Sequence, residues 1–207
     1  MPIIHEMEQG SAEWFGVKAG VPSSSCFSKV ITGTGKPSDS LKGYALTLAT
    51  EKYLGKSIDD GFRGNKFTDR GNQMEPESRV DYEMTHQVTI REVGFITDDL
   101  GRWGASTDGL VNDDGLTEFK NLIATSMMSL LVYLAKNPGK TEPKYIPQIQ
   151  GELFVTEREW CDIVFYHPNF DPIIHRHYPD LEYQSNLKTQ LIAVISERDS
   201  ILKLVRN

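Results

Sequence analysis

The stretch Ala105-Ser106-Thr107-Asp108-Gly109-Leu110, followed by Asn112-Asp113-Asp114-Gly115-Leu116-Thr117-Glu118-Phe119-Lys120, decides the reading of this chain. Residues 104–122 read as two strands, and Asp-Gly in the turn is a strong hairpin signal. Residues two apart on a strand share a face. Glu118 and Lys120 therefore project together, while Phe119 turns into the core. The hairpin brings Asp108 back beside Glu118 on the neighbouring strand, so that two carboxylates and an ammonium converge.

Working outward, helices and strands alternate. Residues 11–19 read as a short helix with Ser11 as N-cap. Residues 44–54 and 70–84 read as further helices, and 88–96 as one alternating strand. Beyond the hairpin come helices over 126–136 and 146–156 and a strand over 160–167, rich in β-formers. Residues 187–205 form a closing amphipathic helix with apolar positions at helical spacing, among them Leu187, Leu191, Val194 and Leu202. Polar, Gly-containing segments at 32–40, 57–68 and 137–143 read as loops. The pattern is α/β, a central mixed sheet flanked by helices in a single domain, with no internal repeat.

The 207 residues suit one domain with a substantial core. No run of about 18 apolar residues suggests a membrane span, and Met1–Glu6 lacks a secretory signal pattern. Cys26 and Cys161 read as free thiols of an intracellular protein, and two cysteines exclude an iron–sulfur cluster that needs about four. The net charge of −7 argues against a protein that coats DNA nonspecifically. It remains compatible with a carboxylate metal site and a small basic channel.

Two carboxylates suit a hard cation such as Mg²⁺ or Mn²⁺. Such a cation polarises a phosphoryl oxygen and helps generate hydroxide. A lysine beside it orients or deprotonates the attacking water, or stabilises developing charge. Asp-x₉-Glu-x-Lys is nevertheless a weak pattern in a chain with 29 acidic residues. Asp108 as a turn cap, with Glu118 and Lys120 as a solvated pair, fits the same skeleton. His5, His86, His167, His175 and His177 form no ligand set, and His175 and His177 alternate like a strand near the surface.

Other segments match one family in order. Residues 13–25, Glu13-Trp14-Phe15-Gly16-Val17-Lys18 through Ser23-Ser24-Ser25, resemble a Trp-x₃-Arg-x-Gly block that ends in small residues. Arg70-Gly71-Asn72-Gln73-Met74-Glu75 resembles a Gly-x₃-Glu helix start, and Tyr145-Ile146-Pro147-Gln148-Ile149-Gln150 a Tyr-x-x-Gln-x-Gln helix. With the core motif these blocks resemble the phage lambda exonuclease (YqaJ-like) family of the PD-(D/E)xK nucleases. The resemblance implies a restriction-endonuclease-like core over a single domain, residues 1–207.

It also implies Asp108, Glu118 and the Phe119 carbonyl as metal ligands and Lys120 as the catalytic lysine. Glu75 would approach the metal from its helix, and Tyr145 and Gln148 would position the site. Lys18, Ser25 and Ser106 would form a pocket for the DNA 5′-phosphate. Glu75 also fits a first-turn acid favoured by the helix dipole, and Tyr145 and Gln148 fit ordinary helix-surface positions. Trp14 fits core packing. Lys18 stands where the family has Arg and loses the bidentate fork. Thr107 replaces the Pro of the motif, and Asn121-Leu122 follow the lysine in place of a small residue and Pro.

The implied function is a Mg²⁺-dependent exonuclease that digests the 5′-ended strand of linear duplex DNA and leaves 3′ overhangs. Its implied setting is a homotrimeric ring and a single-strand annealing partner, in a phage or prophage system in the bacterial cytoplasm. A structure-specific or restriction-like endonuclease and a DNA-end-binding accessory protein are the rival readings.

Overall fold

The computed structural model describes residues 1–58 and 66–206, with side chains over 1–58 and 74–205. The chain runs β1 (Ile3–His5), α1 (Ala12–Lys18), a 3-10 turn (Ser24–Lys29), α2 (Leu41–Leu54), α3 (Lys66–His86), β2 (Ile90–Arg91), β3 (Phe95–Thr97) and β4 (Gly104–Ala105). It continues through β5 (Gly109–Val111), β6 (Gly115–Asn121), α4 (Ala124–Lys136), a 3-10 turn (Pro143–Tyr145), α5 (Ile146–Thr156), β7 (Trp160–Tyr166), β8 (Ile173–His177) and α6 (Leu181–Arg206).

The central sheet has the order β2-β5-β6-β7-β8. β5 and β6 form the expected hairpin, Gly109 opposite Thr117 and Val111 opposite Gly115. Asn112 takes the left-handed conformation in its turn, φ 49°, which Asn tolerates better than most residues. β6 and β7 run parallel, Glu118 opposite Ile163 and Lys120 opposite Phe165. A parallel pair needs a long crossover, and α4 and α5 supply it. All seven residues of β7 are buried, as a central strand covered on both faces requires. β8 closes one edge, antiparallel to β7. A smaller antiparallel sheet, β1-β3-β4, abuts the N-terminal helix.

Strand alternation divides the core in two. Leu110, Leu116, Ile163 and Phe165 pack with Phe27, Leu48, Ile149, Leu153, Leu187 and Leu191 on the α5/α6 side. Val111, Phe119, Trp160 and Val164 pack with Tyr82 of α3 on the other. On that second side the buried Asp162 accepts a 2.7 Å hydrogen bond from the Tyr82 hydroxyl and two 2.8 Å bonds from Arg176. This network fastens α3 to the sheet. Glu118 and Lys120 point the other way, toward α5.

Several expectations shift. The strand expected over 88–96 is two strands in two sheets, because the chain breaks at Glu92-Val93-Gly94. A Cβ on Gly94 would lie 2.3 Å from the Met7 carbonyl oxygen, so the N-terminal segment presses on the backbone there. The first strand of the expected hairpin is likewise divided into β4 and β5, with Ser106-Thr107-Asp108 as an irregular link. α3 begins at Lys66, earlier than 70, so the Gly-x₃-Glu block lies inside the helix. The expected loop over 57–68 is helical from Lys66, and its residues 59–65 lie outside the described residues. The closing helix starts at Leu181, six residues early. Ser11 caps α1 as expected, its hydroxyl accepting from the Trp14 N–H at 3.2 Å.

Candidate functional site

β6 carries the centre. Glu118 and Lys120, two apart, face α5, and the Lys120 ammonium donates to Glu118 Oε1 at 2.5 Å. Asp108 enters from the link before β5, where its Oδ2 accepts from the Phe119 N–H at 2.6 Å. The link is held by Thr107, whose buried hydroxyl donates to the Thr117 carbonyl at 3.1 Å. Thr thus does by a side-chain hydrogen bond what Pro in the motif would do by ring geometry.

α5 supplies the rest. Gln148 Oε1 accepts from Lys120 at 3.0 Å, and Gln148 Nε2 donates to Glu118 Oε1 at 2.6 Å and Glu152 Oε1 at 3.0 Å. This amide orientation matches every donor with an acceptor. Glu118 Oε1 thus takes two donors, while its buried Oε2 has no hydrogen-bond partner among the described residues. An unpaired buried carboxylate oxygen is costly and is a donor atom ready for a cation. The carboxylates of Asp108 and Glu118, brought together on either side of the Phe119 backbone, are hard oxygen donors of the kind that suit Mg²⁺ or Mn²⁺. Among the described residues, no three His, Cys, Asp or Glu side chains form a metal-ligand group. A cation here would depend on two carboxylates, the backbone and water.

The electrostatics follow from crowding. Burial, then Glu118 and Glu75, push the Asp108 carboxyl well above the ordinary range. Burial and Glu118 do the same to Glu152. Burial raises Glu75 too, against the opposing pull of Arg79. For Lys120 burial acts downward, but Glu118, Asp108 and Glu152 outweigh it, so its pKa ends above the normal lysine value.

Asp108 also borders a cleft of about 740 Å³, with Trp14, Gln9, Glu75, Arg79 and Glu92 among its walls. Glu75 pairs with Arg79 at 2.7 Å, and Arg79 also contacts Glu92. Glu75 lies well inside α3, nine residues past its start, so the first-turn dipole reading does not hold. The Trp14 ring is a half-buried cleft wall whose Nε1 donates to the Gly94 carbonyl at 2.9 Å, and it does not belong to the core.

The structure thus gathers Asp108, Glu118, Phe119, Lys120 and Gln148 and places Glu75 across the cleft. Tyr145 sits over β7, beside the register partner of Lys120. It lies in the 3-10 turn before α5, not on the helical face of Gln148, and its ring packs 5.2 Å from that of Phe165. The Lys18 ammonium sits 3.7 Å from the centroid of the Trp14 ring, at the cleft wall. The Ser23–Ser25 run is fastened to β4 by a 2.9 Å bond from Gly104 N–H to the Pro22 carbonyl. Ser25 is exposed, with its hydroxyl 3.4 Å from that of Ser23. The hydroxyls of Ser106 and Ser24 are buried without hydrogen-bond partners among the described residues. His175 and His177 lie on β8 as expected, both bonded to the Thr141 hydroxyl. Sequence reasoning missed Glu152, fully buried on α5. A lone carboxylate among Ile149, Gly151 and Leu153, four residues after Gln148, was the available signal.

Fold and site together define an α/β protein with a carboxylate–lysine–glutamine cluster at a cleft rim, suited to binding a divalent cation through oxygen. The chain belongs to the YqaJ-like viral recombinase domain family, whose model matches residues 13–159. No curated protein sequence matches it. Among solved structures it is similar to an alkaline exonuclease from Laribacter hongkongensis, with 26% identity, a TM-score of 0.81 and coverage of 95% of this chain and 96% of that one. The same enzyme in complex with dAMP matches equally. A phage-related exonuclease from Haemophilus somnus 129PT shares the fold at 15% identity and a TM-score of 0.68, covering 89% of this chain and 96% of that one. No helix among the described residues is long and apolar enough to cross a membrane.

Proposed function

We propose that this protein is a metal-dependent exodeoxyribonuclease that degrades the 5′-ended strand of linear duplex DNA and leaves 3′ single-stranded overhangs for recombination. The observation that carries the reading is the convergence of Asp108, Glu118, Lys120 and Gln148, with Glu118 Oε2 buried and unpartnered. Family membership and likeness to an alkaline exonuclease support it.

In this reading Asp108, Glu118 and the Phe119 carbonyl hold Mg²⁺, with Mn²⁺ as an alternative. A bound cation polarises the phosphoryl oxygen, lowers the pKa of water and stabilises the leaving oxygen. The other steps belong to the chain. The Phe119 N–H orients the Asp108 carboxylate. Lys120, protonated because of its carboxylate neighbours, donates to the attacking water or a phosphoryl oxygen and stabilises developing negative charge. Gln148 fixes the ammonium in place. Water oxygen bonds to phosphorus and gives its proton to solvent as the P–O3′ bond breaks and O3′ takes a proton from solvent, which releases a 5′-mononucleotide. Glu75 contributes across the cleft through water, and Tyr145 supports the scissile strand from beside α5. Lys18, Ser25 and Ser106 receive the 5′-phosphate, since cations and hydroxyls suit that group.

The implied setting is a homotrimeric ring around DNA, a single-strand annealing protein as partner, a phage or prophage origin and the cytoplasm of a bacterial host, with residues 1–207 as one exonuclease domain. The test is product release from end-labelled linear duplex with Mg²⁺, beside a covalently closed circle of the same sequence. Acid-soluble label from the 5′-phosphorylated strand with the circle intact is the expected result. A cut circle would point to an endonuclease, and no turnover by folded protein to a binding role.

A further inference from the structure

Glu152 lies one helical turn beyond Gln148 on α5 and is fully buried. A carboxyl group placed there costs several kcal/mol more than an apolar side chain unless it is hydrogen-bonded. Among the described residues its side chain has two hydrogen-bond partners: the Gln148 amide, which donates to Oε1 at 3.0 Å, and the Cys161 thiol of β7, which donates to Oε2 at 3.9 Å. Gln148 in turn touches three groups. Two of them, Glu118 and Lys120, are reacting groups under the reading above and change partners when cation and DNA arrive. Glu152 alone stays outside the chemistry.

We propose that Glu152 is a positioning residue: it anchors the Gln148 amide with Oε1 toward Lys120, and so holds the lysine aligned while Glu118 is otherwise engaged. It does so as a hydrogen-bond acceptor. That acceptor role needs no charge on the carboxyl, whose pKa burial and Glu118 raise well above the ordinary range. In either protonation state Oε1 remains the acceptor for the Gln148 amide, while Oε2 accepts from the Cys161 thiol. Gln at this position reproduces the acceptor without the charge, whereas Met fills the space without it.

The inference rests on the nuclease reading, and the experiment separates the two. Degradation of linear duplex DNA with Mg²⁺ is measured for wild type, Glu152→Met, Glu152→Gln, Gln148→Leu and the Glu152→Met/Gln148→Leu double variant. Glu152→Met lowers kcat about 10-fold, the scale seen when a group orienting an active-site residue is removed, with KM for DNA within twofold of wild type. Glu152→Gln keeps at least half of kcat. The double variant is no slower than Gln148→Leu alone, because Glu152 acts only through Gln148. Full kcat in Glu152→Met, equal losses in Glu152→Gln and Glu152→Met, or additive losses in the double variant would each overturn the proposal. A second measurement needs no Glu152 variant to fold. The Gln148 side-chain amide resonance of the wild type, identified by its loss in Gln148→Leu, is expected to be rigid, and mobility like that of exposed Gln87 would refute the anchor. Wild type that degrades no DNA sinks the nuclease reading, and the amide measurement still decides the anchor.

Discussion

At the scale of single residues, the centre is a set of carboxylates that folding brings together against their own repulsion. Asp108, Glu75 and Glu152 all sit above their ordinary range, with burial as the largest cause. Each therefore gives up its proton at lower pH in the unfolded chain than in the folded one. Their effect on stability is absent below the unfolded values near 4 and grows as pH rises toward the raised folded values. Each unit by which a folded carboxyl lags costs about 1.4 kcal/mol for the buried Asp108 and Glu152, and less for the partly exposed Glu75, where solvent screens the interaction. The Lys120 shift lies above this window and does not oppose the trend. The thermal midpoint of metal-free protein is thus expected to fall between pH 5 and pH 8, and Mg²⁺ to raise it more at pH 8. A midpoint flat with pH in calorimetry would refute this account. Asp108→Asn keeps an acceptor for the Phe119 N–H and removes one charge. It is expected to raise the metal-free midpoint by about 2–4 °C, the shift that ~1 kcal/mol gives at this size, and to abolish activity. Lys120→Met is expected to cost about 100-fold in kcat with little change in KM. Glu118, Phe119 and Lys120 were legible in the sequence because alternation along a strand is a local property. Glu152 was not, because the burial of a carboxyl is decided by what packs over it.

At the scale of elements, sequence pattern located most helices and strands and missed where sheets part. Residues 88–96 read as one alternating strand, yet Ile90 pairs with Val111 while Phe95 pairs with His5, and the alternation slips by one residue at Arg91-Glu92. Alternation carries no information about which partner a strand finds. The same limit hid the break between β4 and β5, and that break is what lets Asp108 turn toward Glu118. α5 was legible to the residue, Ile146–Thr156, since Pro147 in the first turn and an apolar face mark it. Its exact seating was not. Gly151 faces the fully buried Phe27 ring, and a Cβ there would approach it to 2.3 Å. Gly151→Ala sets two effects against each other. Helix propensity favours Ala by about 1 kcal/mol, and overpacking a closed core costs about 1–3 kcal/mol. Phe27 has no free side to move to, so overpacking wins. The variant is expected to lose about 1 kcal/mol in urea unfolding and, because α5 carries Gln148, to lose kcat as well. Unchanged stability would mean that the Phe27 side of α5 is loosely packed.

At the scale of the whole molecule, the net charge of −7 sits awkwardly with DNA work. The cleft deepens the difficulty, since Glu6, Glu8, Glu75, Glu92 and Asp108 all line it. Such walls attract cations and repel phosphate, so electrostatic grip alone is a poor means of staying on a duplex. Met128, Leu131 and Val132 on α4 and Leu46, Tyr53, Leu54 and Val205 along α2 and α6 are exposed. Apolar surface of this kind is compatible with contacts to other chains. The proposed ring resolves the conflict by enclosing the DNA, and it separates two rates that open binding would couple. Loading still depends on the few cation contacts to phosphate proposed at the DNA end, so it is expected to slow by roughly tenfold or more between 50 and 200 mM salt as those contacts are screened. Retention depends on enclosure, so nucleotides released per loading event, measured with a trap for free enzyme, are expected to stay within about twofold over the same range. The particle in solution is expected at about 70 kDa, three times the 23.4 kDa chain. Processivity that falls in step with loading, or a particle that sediments as a single chain while still processive, would rule enclosure out and leave the acidic cleft to be reconciled with DNA by bound cations alone.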